Sequence, residues 1–361
     1  MRASRHGGRR PAAALAWARR NLFAGVGNTL LTLVMVALLA LAVPPLLRWA
    51  VLDADWWGQS RAACTDGGAC WAMITARLAS FAYGSYPIAE RWRPSLVLLL
   101  FLACAVPAFR ERTAARGLWV LLLVAFFPVL AGLLLWGGVL GLAYVDTTLW
   151  GGLMVNCVLA FVAVAGALPL GILLALGRRS ELRLVRALCV AFIEFWRGVP
   201  LLTVVFMATV MLPLFLPQGV NLDRLLRAML ALTLFTAAYM AEVVRGGLQG
   251  VGKGQAEAAY SLGLGYWRVQ ALVVLPQALR TALPSILNTV IDLFKDTTLV
   301  AIVGIFDLLG VVNSALRDQA WLGLAREGYA FAALVFFACC FAMSRLSARL
   351  ERRLATDRER A

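Results

Sequence analysis

Asp292, Lys295 and Asp296 lie within an otherwise apolar stretch, residues 284–305. Spacings of three and four put them on one face of a helix. Charge inside a bilayer-length apolar run is costly, so it marks a functional or a packing site. Lys295 can neutralise both carboxylates, or one carboxylate can meet a substrate ammonium; the alternative is a structural cluster that holds helices together. Glu194 and Arg197 are also three apart, before the apolar run 199–216, a spacing suited to an interfacial ion pair. Glu242 and Arg245 end the run 225–244, where Arg245 reads as a basic anchor at the membrane face and the pair can transmit motion to the loop that follows. These seven residues are the candidates for a translocation path.

Covalent and metal chemistry find no support. The single histidine, His6, lies in a basic N-terminal tail, and the seven cysteines show neither a CxxC pair nor metal-ligand spacing. No catalytic residue and no metal ligand is expected. Gly250-Val251-Gly252-Lys253-Gly254 lacks the frame of a phosphate-binding loop and the Ser or Thr that follows its Lys. Cys64 and Cys70 bracket Thr65-Asp66-Gly67-Gly68-Ala69, a short loop that an oxidising compartment would allow to close.

The elements that position these residues follow from composition. Of 361 residues, 62% are hydrophobic and 15% charged, against about 45–50% apolar in soluble domains. That excludes an ordinary soluble enzyme, a disordered chain and, despite a net charge of +15, a nucleic-acid binder. Eight apolar stretches approach the roughly 20 residues that cross a bilayer: 26–47, 94–109, 118–142, 153–177, 199–216, 225–244, 284–305 and 328–344. The chain thus reads as an all-α polytopic membrane protein of about eight transmembrane helices, contacting lipid along most of them. Of 34 Lys and Arg, 23 fall on one side of that arrangement and nine on the other, which puts both termini in the cytoplasm. The first stretch resembles a cleavable signal, but its apolar run continues through Leu46 and Leu47, as in an uncleaved anchor. Three spans and an outside loop, about residues 48–93, make up residues 1–150. Five spans make up residues 151–350, where Gly166 and Gly171, like Gly137 and Gly141 before them, permit close helix contact. Residues 351–361 are a cytoplasmic tail.

The most informative segment is residues 250–276. Gln255–Leu262 favours a helix, Gly263 and Gly265 allow a sharp turn, and Trp267–Leu275 can form a second short helix ended by Pro276. Such a broken, amphipathic helix–turn–helix lies against the membrane face. Its spacing (Glu257-Ala258-Ala259, three residues, Gly263, nine residues, Val273, one residue, Leu275-Pro276) resembles the EAA loop of ABC importer permeases. Phe195-Trp196-Arg197-Gly198-Val199-Pro200-Leu201-Leu202, the stretch 238–249 and Phe294-Lys295-Asp296-Thr297-Thr298-Leu299-Val300 are similar to the polar amino-acid (His, Glu, Gln or general L-amino-acid) members. The three extra spans and residues 210–217 are similar to the AapM-type general L-amino-acid permease.

The resemblance implies a five-helix type I ABC importer permease core over residues 151–350. Glu257, Ala258, Ala259 and Gly263 would form the turn that docks on cytoplasmic ATP-binding subunits, and Leu275 and Pro276 would set the return into the next span. It further implies no ATPase site and no cofactor in this chain, with ATP and Mg used by the partner ATPase. The other implied partners are a second permease subunit, a related but different chain, and a periplasmic amino-acid-binding protein. The location would be the bacterial inner membrane, and the function uptake of L-amino acids by alternating access. An importer of another small polar solute is the nearest alternative. An ion-coupled secondary carrier should show an internal repeat, and none stands out.

Overall fold

The computed structural model describes residues 10–109, 116–139, 141–217, 219 and 221–360. His6, with Arg2, Arg5 and Arg9 of the basic tail and Arg110 and Arg112 of the next basic loop, lies outside the described residues. The chain divides into two compact units, Met1–Ala76 and Arg77–Ala361.

In the first unit, α1 (Arg10–Asn21) precedes α2 (Val26–Leu47). Leu, Val and Ala fill α2, which carries no acid or base and has no buried residue. Twenty-two residues at 1.5 Å each reach about 33 Å, the depth of a bilayer core. After a wide turn at Arg48–Leu52 the chain forms a compact polar loop. Cys64 and Cys70 are joined by a disulfide, with Cα atoms 5.6 Å apart. Asp55 Oδ2 accepts the Thr65 N–H at 2.6 Å and its hydroxyl at 2.8 Å; the backbone donation first, then the hydroxyl, holds the Asp55 carboxyl below its usual range. That anchor is intact at neutral pH and is lost as pH falls through the lowered value. Trp71 lies between Trp49 and Trp56, with ring centroids 6.0 and 6.1 Å away, and its indole donates to Ala50 O at 2.7 Å. Mass mapping without reductant should therefore find residues 64 and 70 cross-linked. Recovery of both as alkylated thiols from membrane-inserted protein would refute the pairing.

The helix α3 (Ala72–Tyr83) leads into the second unit. There follow α4 (Trp92–Phe109), α5 (Arg116–Leu121), α6 (Phe127–Trp136), α7 (Gly152–Arg178), α8 (Arg183–Gly198), α9 (Leu201–Phe206), α10 (Leu212–Phe215) and α11 (Arg224–Gln249). Short α12 (Lys253–Ser261) and α13 (Tyr266–Val269) precede α14 (Leu275–Asp296), α15 (Leu308–Leu316) and α16 (Ala325–Arg360).

Six helical stretches among the described residues are long and apolar enough to cross a membrane, or seven with the pair α8 and α9–α10, which bends by 101°. The expected span 284–305 differs most. Its helix begins at Leu275, ends at Asp296 and continues as a 3-10 turn, Thr297–Val303. Its polar residues hold it below the apolarity of the other spans, and they lie on one face, as described below.

The centre of this unit is the pairing of α7 with α11. Small residues permit it: a Cβ on Gly171 would come within 2.7 Å of the Met240 Cβ and 3.0 Å of the Ala241 nitrogen, so a larger side chain would push the helices apart. Gly166 similarly faces Thr233. Gly137 and Gly141, expected at helix contacts, instead take positive φ in the turn after α6. The second unit includes residues on both sides of position 150. Phe101 and Phe127 interlock with Phe161 of α7 at 5.5 and 5.0 Å, and the Gly152 N–H donates to Phe306 O at 2.8 Å. Asn156, fully buried in α7, donates to Thr297 Oγ1 at 2.9 Å and Asp307 Oδ2 at 3.1 Å and accepts the Leu308 N–H at 2.9 Å. Its amide is thus satisfied within an apolar core.

Candidate functional site

The segment between α11 and α14 folds as a helix–turn–helix, and its turn is set by backbone chemistry. Gly263 takes φ +79°, its N–H donates to Tyr260 O at 2.9 Å, and the Leu264 N–H donates to Ala259 O at 3.3 Å. Those two bonds form a Schellman cap, which closes the last carbonyls of α12 and needs a left-handed residue at the glycine position. A Cβ on Gly263 would meet nothing within 4 Å, so the glycine is demanded by conformation, not by crowding inside this chain.

The faces of the segment then separate. Ala259 is buried with Val244, Leu248, Val269 and Ala278, so it fixes α12 to α11 and α14. It is expected in the docking surface beside Glu257 and Ala258, but only the latter two are exposed, because Ala259 lies on the α12 face that packs against α11 and α14. The outward surface includes residues the sequence reading did not single out: Leu262 is 81% exposed and Trp267 69%. Large apolar side chains left this open mark a surface that meets a partner or the membrane face and not bulk water. Pro276 was expected to end the second helix. It stands instead in the first turn of α14, after a wide π turn at Gln270–Val274, with Leu275 opening the helix. Proline has no N–H to donate to the carbonyl four residues back, and the first turn tolerates that loss. Gln277 Nε2 donates to Gln255 Oε1 at 3.2 Å, a further tie between α12 and α14.

Charged residues gather where α7, α8 and α11 meet. Arg178, at the end of α7, bonds Glu242 at 2.5 Å and Glu194 at 3.1 Å. Arg245 Nε and Nη2 both reach Glu242 Oε2, at 2.9 and 2.7 Å. The expected Glu194–Arg197 pair does not form: Glu194 turns to Arg178, and the Arg197 guanidinium lies 5.6 Å from the centre of the Tyr239 ring. Arg178 was missed because its partners are 16 and 64 residues away, beyond any local spacing.

Lys295 pairs with Asp292 at 2.8 Å, and both side chains are more than half exposed. Asp296 is half-buried, so Lys295 does not bridge two equivalent carboxylates. The pair belongs to a longer stripe. Thr281, Ser285, Asn288, Asp292 and Lys295 are all exposed, and steps of four and three keep them on one face. Opposite them, Ala278, Ala282, Ile286 and Leu293 are buried against the rest of the unit. A polar stripe on a bilayer-length helix does not face lipid; it faces water or another protein. The three uncharged members could have been found by marking polar residues at the 3–4 period from Asp292.

Residues 167–356 match the family described as "Binding-protein-dependent transport system inner membrane component". The chain is 52% identical over 345 residues to the "Inner membrane amino-acid ABC transporter permease protein YhdY" of Escherichia coli strain K12, covering 96% of this chain and 94% of that one. It is 39% identical over 413 residues to the "Glutamate/glutamine/aspartate/asparagine transport system permease protein BztC" of Rhodobacter capsulatus, covering 95% and 94%. Against the "Probable glutamine ABC transporter permease protein GlnP" of Bacillus subtilis it is 32% identical over 206 residues, 56% of this chain but 92% of that one.

Proposed function

The chain belongs to the binding-protein-dependent transport system inner membrane components, and from that membership we propose that it is the permease subunit of an ATP-driven ABC importer that takes up L-amino acids across the bacterial inner membrane by alternating access. The observation that carries this reading is the capped turn at Gly263, which presents Glu257, Ala258, Leu262 and Trp267 outward while Ala259 is sunk into the permease. That face fits cytoplasmic ATP-binding subunits, which use ATP and Mg; this chain is the non-enzymatic subunit and binds no cofactor.

Motion has a defined route. Displacement of α12 passes through Ala259 to α11 and through the Gln255–Gln277 bond to α14. The Glu242–Arg178 pair carries it from α11 to α7. The Thr281–Lys295 stripe of α14 then lines the solute path, closed on its far side by a second, related permease. Asp292 suits a substrate ammonium and Lys295 its carboxylate. A periplasmic amino-acid-binding protein supplies the solute. Residues 151–350 are the transport core, and residues 1–150 an extension of the kind found in the longer relatives. Reconstitution with the partner subunits should give amino-acid uptake that requires both ATP and the binding protein; uptake indifferent to ATP would refute the reading.

Both termini are cytoplasmic and residues 48–93 face outward, from the 23-to-nine basic bias. Reporter fusions after residue 85 and at residue 361 should read outside and inside, respectively. An outside C-terminus would overturn this topology.

A further inference from the structure

The helix α8 crosses the end of α7 instead of running beside it. A Cβ on Gly177 would lie 3.6 Å from Val185 Cγ1, and Glu194, nine residues further on, bonds Arg178 of the same α7 turn. Two residues separated by about 13 Å of helix thus meet one level of a membrane-spanning helix, and the 101° bend into α9–α10 follows. The helix therefore lies along the membrane face at the α7 terminus.

Its sequence divides into three faces at the helical period. Cys189, Phe192 and Ile193 pack toward α7 and α11. Leu184, Leu188 and Phe195 form an exposed apolar stripe, each more than 60% exposed. Arg183 and Arg186 lie on the third face with Glu194. Arg179 stands just ahead of them. Among the described residues, Arg179 and Arg183 meet no carboxylate: Arg179 Nη1 donates to Leu248 O at 3.5 Å. Arg186 Nε donates to Ser180 O at 2.9 Å, and the one carboxylate near Arg186 is the fully exposed Glu181, at 3.9 Å. With one apolar face on the protein and the arginines toward the aqueous side, the second apolar face points into the bilayer. Basic groups above an inserted apolar edge match an anionic lipid headgroup over its acyl chains.

The geometry points to α8 as a docking site for anionic phospholipid: Arg179, Arg183 and Arg186 hold the headgroup phosphate while Leu184, Leu188 and Phe195 lie among the acyl chains. This rests on the topology proposed above, which puts the α7–α8 corner in the cytoplasmic leaflet. A protein partner would be expected to offset the arginines with acidic groups and to cover the apolar stripe together with them.

The test uses the full chain assembled with its partner subunits, in nanodiscs of mixed phosphatidylcholine and phosphatidylglycerol, with lipid retained after detergent extraction measured by mass spectrometry. Wild type should retain phosphatidylglycerol in preference to phosphatidylcholine. Arg183→Gln with Arg186→Gln should weaken that retention about 25-fold, at about fivefold per surface charge. Arg349→Gln with Arg358→Gln, an equal loss of charge at the C-terminal end of α16, should leave it at the wild-type level. Equal retention of the two lipids by wild type would overturn the proposal whatever the variants do. So would unchanged phosphatidylglycerol retention in the α8 variant, including the case where that variant loses the second permease subunit and so marks a protein contact. Lipid retention does not depend on turnover, so failure of the importer reading would show separately, in uptake.

Discussion

Gly263→Arg should leave a membrane-inserted permease whose uptake and whose stimulation of its ATPase both fall to background. Two effects combine. The Schellman cap holds residue 263 at φ +79°, and an L side chain there costs about 1–2 kcal/mol. That is too little to unfold a helical membrane protein, and among the described residues no atom beyond its own chain neighbours lies within 4 Å of the added Cβ. The larger effect is on the partner, because the arginine projects from the turn proposed to dock on it. Glu257→Lys tests the same surface without touching the backbone: Glu257 is exposed on α12, so reversing its charge changes what a partner meets and little else. Ala259→Arg is a different experiment, since it drives a charge into the Val244, Leu248 and Ala278 cluster and should lower insertion itself. Measurements are substrate-stimulated ATP hydrolysis in the reconstituted complex and co-purification of the ATP-binding subunit. Full stimulated hydrolysis and uptake in both Gly263→Arg and Glu257→Lys would remove the segment from the coupling role.

Lys295→Ala should lower uptake per inserted molecule at least tenfold, about 1.4 kcal/mol in the transport barrier, while lowering the amount inserted much less. Lys295 and Asp292 form a 2.8 Å pair at the end of the polar stripe, and both are more than half exposed in the single chain. If that face lines a wet path, loss of the ammonium removes a contact for a substrate carboxylate and leaves Asp292 solvated. If the face is instead sealed against the second permease, an unpaired Asp292 is stranded in a dry interface, with a penalty of about 3–5 kcal/mol, and insertion or assembly collapses before transport can be measured. Lys295→Arg, which keeps the charge, should restore most of the uptake. Normal uptake per molecule in Lys295→Ala would make the pair dispensable.

The contrast between α12 and α8 shows how much of the site was legible. Everything the coupling turn needs is local: a helix-forming run, a glycine where the chain reverses, and an apolar spacing that returns it to the membrane. All of it fits within residues 253–276, so the turn and its glycine could be read directly. The ion-pair cluster could not. Glu194 and Arg197 have a spacing that suits a pair, yet Glu194 bonds Arg178 and Arg197 stacks near Tyr239. A local spacing states only which residues can meet, and a competing partner on another helix can win.

By itself the amino-acid sequence determined the all-helical membrane character, most of the spans, the helix–turn–helix of residues 253–276 and the charged face of α14, because each rests on composition or on a period shorter than a few helical turns. Only the tertiary structure decided that Ala259 turns inward, that Pro276 opens α14, that Arg178 joins α7 to α8 and α11, and that Asn156 ties α7 to Thr297 and Asp307 across 141 and 151 residues. Those outcomes depend on which helices approach closely enough to exclude water. That is set by the summed packing of small residues such as Gly171 against α11, and no local stretch of the chain contains it.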